Sequence, residues 1–98
     1  MQVKDLAIIF NDIDDSFIVQ TEDEFQIICV FTDVEKETVT LISGAGGQKE
    51  MPASLFKTML KNIHSGHFKV IDEDEFDITM VTVDDSKKIV TLISGVEK

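Results

Sequence analysis

Two histidines, one cysteine, a glycine-rich loop and nineteen carboxylates are the residues of this 98-residue chain that could do chemistry. His64 and His67 stand three apart in HSGH, a spacing that with a nearby acid can hold a metal ion. No third ligand stands at a recognisable spacing. The pair therefore reads as a helix C-terminus and its turn, where imidazole meets the negative end of the helix dipole. Residues 43–50, SGAGGQKE, lie between a strand pattern and a helix pattern, where phosphate loops occur. That loop requires Gly-Lys followed by Ser or Thr, whereas Gly47 precedes Gln48, Lys49 and Glu50, so the segment reads as a connector. In residues 11–17, NDIDDSF, Asp12, Asp14 and Ser16 could open a calcium loop. Its sixth position would be Phe17 in place of Gly and its twelfth Asp23 in place of Glu, so the pattern fails. Cys29 falls in the alternation Phe25, Ile27, Cys29, Phe31, which predicts a buried core group rather than a nucleophile. No Ser, His and acid set is suggested, and the acidic runs read as solvated turns. The chain is expected to be no enzyme, with no cofactor and no metal.

The elements that must carry these residues are written twice. VTLISG occupies residues 39–44 and again 90–95. Extended outward, residues 17–44 and 68–95 agree without gaps at 16 of 28 positions. Such internal repetition dictates the architecture. Each copy predicts a short strand (17–20, 68–71), an acidic turn, an alternating strand, a polar turn and a β-branched strand ending at Gly44 or Gly95. A helix is expected before each trio. Leu55, Phe56, Met59, Leu60 and Ile63 form an apolar stripe after Pro52, and Leu6, Ile9, Phe10 and Ile13 form the other. The expected fold is a single α+β domain, residues 1–98, of two tandem αβββ repeats. Repeat 1 is 1–44, the connector 45–50 and repeat 2 51–98. One or two antiparallel sheets carry two helices on one face, related by a pseudo-twofold axis. A unit of about 50 residues cannot bury its apolar face alone, so the copies bury theirs together, with VTLISG near the junction.

Charge narrows the class of partner. Nineteen acids face nine lysines and no arginine, a net charge of −10. Nucleic acid and anionic membrane are repelled by such a surface, and basic proteins are attracted. Residues 1–10, MQVKDLAIIF, are too short and charged for a secretory signal, and no apolar run approaches the roughly 20 residues of a membrane span. With a single cysteine no intramolecular disulfide can form, and a reducing cytoplasm is the expected setting.

The acids are unevenly placed. Residues 1–49 hold ten against three lysines, and residues 50–98 hold nine against six. Asp12, Asp14 and Asp15 crowd the C-terminal end of the first helix, where anions oppose the dipole by about 0.3–1 kcal/mol each. The second copy has neutral or weakly basic residues there, which points to a surface shaped for a purpose other than stability. Glu22, Asp23, Glu24, Asp33, Glu35 and Glu37 extend the acidic set. Glu22 and Glu24, about 6–7 Å apart in extended chain, are spaced to imitate successive phosphates.

In charge, size and layout the chain resembles small acidic phage-encoded inhibitors: anti-CRISPR proteins of the DNA-mimic type, and the phage inhibitor of uracil-DNA glycosylase. The resemblance implies an inhibitor whose carboxylates stand in for DNA phosphates in the cytoplasm of a bacterial host. Its target would be a basic nucleic-acid-binding protein such as a CRISPR effector nuclease, with no direct binding to nucleic acid or membrane. The expected contact residues are Asp12, Asp14, Asp15, Glu22, Asp23, Glu24, Asp33, Glu35 and Glu37. The alternative is a homodimer or assembly subunit using apolar residues on the sheet face the helices leave bare, such as Ile28 and Val30. Salt separates the two, because ionic contacts weaken with ionic strength and apolar ones do not.

Overall fold

Helices form where the apolar stripes fall. The computed structural model describes residues 1–22, 25–44 and 50–95. The connector residues 45–49 lie outside the described residues. The elements run α1 (Val3–Asn11), β1 (Ile18–Thr21), β2 (Gln26–Asp33), β3 (Thr38–Gly44), α2 (Ala53–Lys61), β4 (Lys69–Ile71), β5 (Ile78–Asp84) and β6 (Ile89–Ser94). At the start of α1 the Asp5 carboxylate accepts the Gln2 backbone N–H at 3.0 Å, satisfying one of the orphan donors of a helix end. Pro52 caps α2 with φ −71°, where its missing N–H costs nothing. Helix α1 buries Val3, Leu6 and Phe10, and α2 buries Ala53, Phe56 and Leu60. The helices meet through Phe10 and Phe56, whose ring centroids are 4.8 Å apart.

All six strands form one sheet in the order β4-β3-β2-β1-β6-β5. This sheet is mixed, which corrects the expectation of an antiparallel one. The pairs β1–β2, β2–β3 and β5–β6 are antiparallel, whereas β3–β4 and β1–β6 are parallel. The physical reason lies in the crossover. Parallel neighbours in sequence need a long connection between them, and the chain from β3 to β4 contains α2. Each VTLISG strand therefore pairs with the short strand from the other half of the sequence: Val39 with Val70, and Val90 with Val19. One isolated antiparallel bridge, Ile71 to Asp77, links the end of edge strand β4 to the residue just before edge strand β5, so the sheet curls until its edges approach there.

Many backbone contacts recur 50 or 51 residues along. Val3 donates its N–H to the Phe68 carbonyl at 2.9 Å, and Ala53 donates to Phe17 at 2.7 Å. Val70 donates to Met1, and Val19 to Met51, both at 2.9 Å. At the far strand ends the pairing is reciprocal. The Glu22 carboxylate accepts the Ser94 N–H (2.8 Å) and hydroxyl (3.2 Å), while Glu73 accepts those of Ser43, both at 3.3 Å. The duplicated hexapeptide thus repeats for a reason. Its Val and Leu (Val39, Leu41, Val90, Leu92) are buried, and its Ser receives a glutamate from the opposite half.

One buried cluster joins both helices to the inward side chains of the strands, and no polar or charged side chain is buried among the described residues. Strand β2 departs from simple alternation. Ile27 opposes Ser43 and Cys29 opposes Ile42, so Ile28 is an extra residue at a bulge. Past the bulge the facing inverts. Ile27 is fully buried, Val30 packs against the core, and Cys29 and Phe31 point out. This overturns the expectation of a buried Cys29, which is an exposed free thiol. The register shift between Ile78 and Met80 does the same in β5, leaving Met80 52% exposed.

Candidate acidic interaction surface

The described carboxylates among those expected to form a contact surface sit at three junctions of the fold. Asp12 is the C-cap of α1, whose last turn holds no basic residue. Among the described residues its carboxylate accepts no hydrogen bond, so it opposes the helix dipole without local compensation. Asp14 accepts the Ser16 N–H at 2.9 Å and the Ser16 hydroxyl at 2.8 Å, an Asx turn that reverses the chain toward β1. The Ser16 backbone N–H, and then its hydroxyl, hold the Asp14 carboxyl below its ordinary 3.8. Asp15 pairs with Lys57 Nζ at 2.7 Å, and that ammonium also donates to the Ile13 carbonyl at 2.6 Å. Lys57 on α2 therefore ties down the chain leaving α1.

Glu22 is committed to Ser94 by the contacts described above and acts first as a latch at the strand ends. Asp23 and Glu24 lie outside the described residues. Asp33 organises the β2–β3 turn by accepting the N–H groups of Glu35 (3.1 Å) and Lys36 (3.2 Å). Glu35 projects from that turn, and Glu37 closes it at φ 57°, a left-handed conformation uncommon for a residue with a side chain. The Glu37 carboxylate is 3.8 Å from His67 Nε2. The seven described residues of the set thus do not converge on one patch. Asp12, Asp14 and Asp15 follow α1, Glu22 sits at the strand ends, and Asp33, Glu35 and Glu37 share the β2–β3 turn near the loop after α2.

The tertiary structure adds acids that the first-half set omits. In the β5–β6 turn Asp84 accepts the Ser86 hydroxyl (2.7 Å) and the N–H groups of Ser86 (3.0 Å) and Lys87 (3.1 Å). The Ser86 hydroxyl, and then the Lys87 N–H, lower its carboxyl from the ordinary 3.8. Asp72 likewise accepts the N–H groups of Asp74 and Phe76, both at 2.9 Å. The alignment of residues 17–44 with 68–95 carried the signal for Asp84, because it falls on Asp33.

Asp85 is the residue that changes the geometry of the site. It stands with Asp12 and Asp14 on the rim of a groove of about 450 Å³. The floor is apolar: Ile9 and Ile13 from α1 and its following turn, and Val81 and Val83 from β5. Val83 lies opposite the buried Val90, on the inward side of the sheet, yet it is 45% exposed. Helix α1 ends at Asn11 and leaves that end of β5 uncovered.

Among the described residues no group of three or more His, Cys, Asp or Glu is arranged to hold a metal ion, and no helix is long and apolar enough to cross a membrane. No family model matches the chain, and neither a curated protein nor a solved structure matches it.

Proposed function

We propose that the protein is a non-enzymatic acidic inhibitor that acts by protein–protein contact on a basic nucleic-acid-binding protein, its carboxylates standing in for DNA phosphates. The observation that carries this reading is how little of the charge is neutralised within the molecule. Against a net charge of −10, the described residues form two lysine–carboxylate ion pairs, and only Lys57 with Asp15 is close. The acids stay at the surface. Several are held in place by backbone N–H donors at turns, as Asp14, Asp33, Asp72 and Asp84 are. Charges placed in advance cost little ordering when a cationic partner arrives.

A second reading rests on a separate observation. The bulges turn Cys29, Phe31 (58% exposed) and Met80 outward, which leaves apolar groups on the convex side of the sheet for a homodimer. The fold itself we read as two tandem αβββ units about a pseudo-twofold axis. The recurring contacts Val3 to Phe68 and Ala53 to Phe17 support that reading, as do the reciprocal Glu–Ser latches. A cytoplasmic setting in a bacterial host belongs to the same proposal.

The test is affinity capture from a bacterial lysate at low and high salt, with DNA as competitor. Retention of a basic nucleic-acid-binding protein, lost at high salt and displaced by DNA, is the expected result. Charge reversal should be made at Asp12 and Asp85, whose carboxylates accept no hydrogen bonds among the described residues. Reversal at Asp14 or Asp15 would also break the Ser16 and Lys57 contacts. Salt-independent retention, or capture unaffected by Asp12→Lys with Asp85→Lys, rejects phosphate imitation on this surface. Concentration-dependent dimers in sedimentation would favour the second reading.

A further inference from the structure

The acid-rimmed groove has an internal comparison in the same molecule. Counting 50 or 51 residues along, Ile13 and Val81 correspond to Ile63 and Val30, which are also apolar and packed against the core. The rim does not carry over. Asp12, Asp14 and Asp85 correspond to Asn62, Ser65 and Val34, and Val83 corresponds to Thr32. The fold therefore does not need carboxylates at that junction, since its other half is built without them. At the position of the half-exposed Val83 the other half has Thr32, although Val34 is exposed there.

Two independent features coincide in the first position alone. An apolar floor continuous with the core is left open to solvent, and three carboxylates surround it. Asp14 is fixed by Ser16, and Asp12 stands where the helix dipole disfavours it. Two cations are near Asp14, Lys88 and Lys57, and Lys57 is already paired with Asp15, so the rim carboxylates outnumber them. Apolar surface draws in an apolar side chain, and the surrounding charge selects cationic neighbours over neutral or acidic ones. A second copy of this chain would bring more negative charge to the rim and is disfavoured.

We propose that the groove floored by Ile13, Val81 and Val83 and rimmed by Asp12, Asp14 and Asp85 receives a short partner segment whose apolar side chain is flanked by Lys or Arg. This inference rests on the reading of the protein as a binder of basic proteins, and it names where and how the partner is held. It differs from plain phosphate imitation, because the contact is partly apolar and one apolar anchor is seated.

The experiment titrates three synthetic peptides, KKLFKK, KKGSKK and EELFEE, into the whole protein and follows its Ile and Val methyl NMR signals. With KKLFKK the largest shifts should fall on Ile9, Ile13, Val81 and Val83. KKGSKK and EELFEE should each bind at least about tenfold more weakly, because each lacks one of the two features. The triple variant Asp12→Asn, Asp14→Asn, Asp85→Asn should weaken KKLFKK about tenfold, the combined effect of three exposed charge pairs. Asn at position 14 retains an acceptor for Ser16. Should that variant melt early, Asp12→Asn with Asp85→Asn serves instead.

Shifts centred on the convex face at Phe31 and Met80 overturn the proposal. So does equal binding of EELFEE, an absence of shifts with every peptide, or methyl shifts that follow protein concentration alone. The two proposals fail separately. A lysate partner captured equally well by the triple variant removes the groove and leaves the inhibitor reading. KKLFKK seated in the groove with no basic nucleic-acid-binding protein captured removes the inhibitor reading and leaves the groove.

Discussion

Replacing Ile27 by Ala should cost about 3 kcal/mol of stability, while replacing Cys29 by Ser should cost less than about 0.5 kcal/mol. The two residues are next-but-one neighbours in β2, and strict alternation would give them the same environment. The bulge at Ile28 separates them: Ile27 is fully buried and Cys29 exposed. Ile→Ala removes three buried carbons at about 0.8 kcal/mol each, and the cavity left among Val39, Leu41 and the helices adds to that. About 3 kcal/mol is roughly a hundredfold in the unfolding constant and a large share of the stability of a domain this size. Urea unfolding followed by far-ultraviolet circular dichroism is the assay, because the chain has no Trp or Tyr to report by fluorescence. The Ile27→Ala midpoint should fall by about 1–3 M and that of Cys29→Ser should hardly move. The native protein should also react at Cys29 with a thiol reagent in the absence of denaturant. Comparable losses at both positions, or a thiol protected until unfolding, would refute the bulged register and restore the alternating strand.

Lys57→Met should cost about 1–2 kcal/mol in the same assay, since it strands the Ile13 carbonyl and unpairs Asp15 while keeping the apolar stem. The carboxyls of Asp14 and Asp84 should titrate below 3.8 in NMR pH titrations. Because folding depresses these values, their contribution is fully present above the unfolded value and is lost as pH falls through the folded one, so stability should decline below about pH 4. Gly95→Ala should destabilise the end of β6, because the new Cβ would lie 2.5 Å from Thr79 Cγ2. Thr79→Ser removes that methyl and should recover most of the loss in thermal melts.

The candidate site was legible as residue types and illegible as a place. The acids following α1 could be read as unusual directly, because a helix C-terminus disfavours anions wherever the helix packs. That Asp14 would be a turn acceptor and Asp15 an ion-pair partner depended on Ser16 and on a lysine from α2. Asp85 belonged to the site only once the β5–β6 turn was brought to the end of α1. Glu22 looked like part of a charge array and proved to be half of a reciprocal latch, since its acceptor role required Ser94 from the far end of the chain.

Local periodicity and duplication determined the order of elements, the buried stripes of Leu6 and Phe10 and of Phe56 and Leu60, and the inward Val and Leu of each VTLISG. Those are short-range properties, carried by spacings of two, three and four residues. Strand partners are a long-range choice. The first half does form an antiparallel trio, β1-β2-β3, but what joins the halves is a parallel pairing: α2 carries β4 across to lie parallel to β3, with β1 and β6 in the matching relation. The bulges belong to the same class. Each inserts one residue where the sheet bends to close on itself, and so inverts the facing of Cys29 and Met80 without leaving a mark in the pattern of residue types.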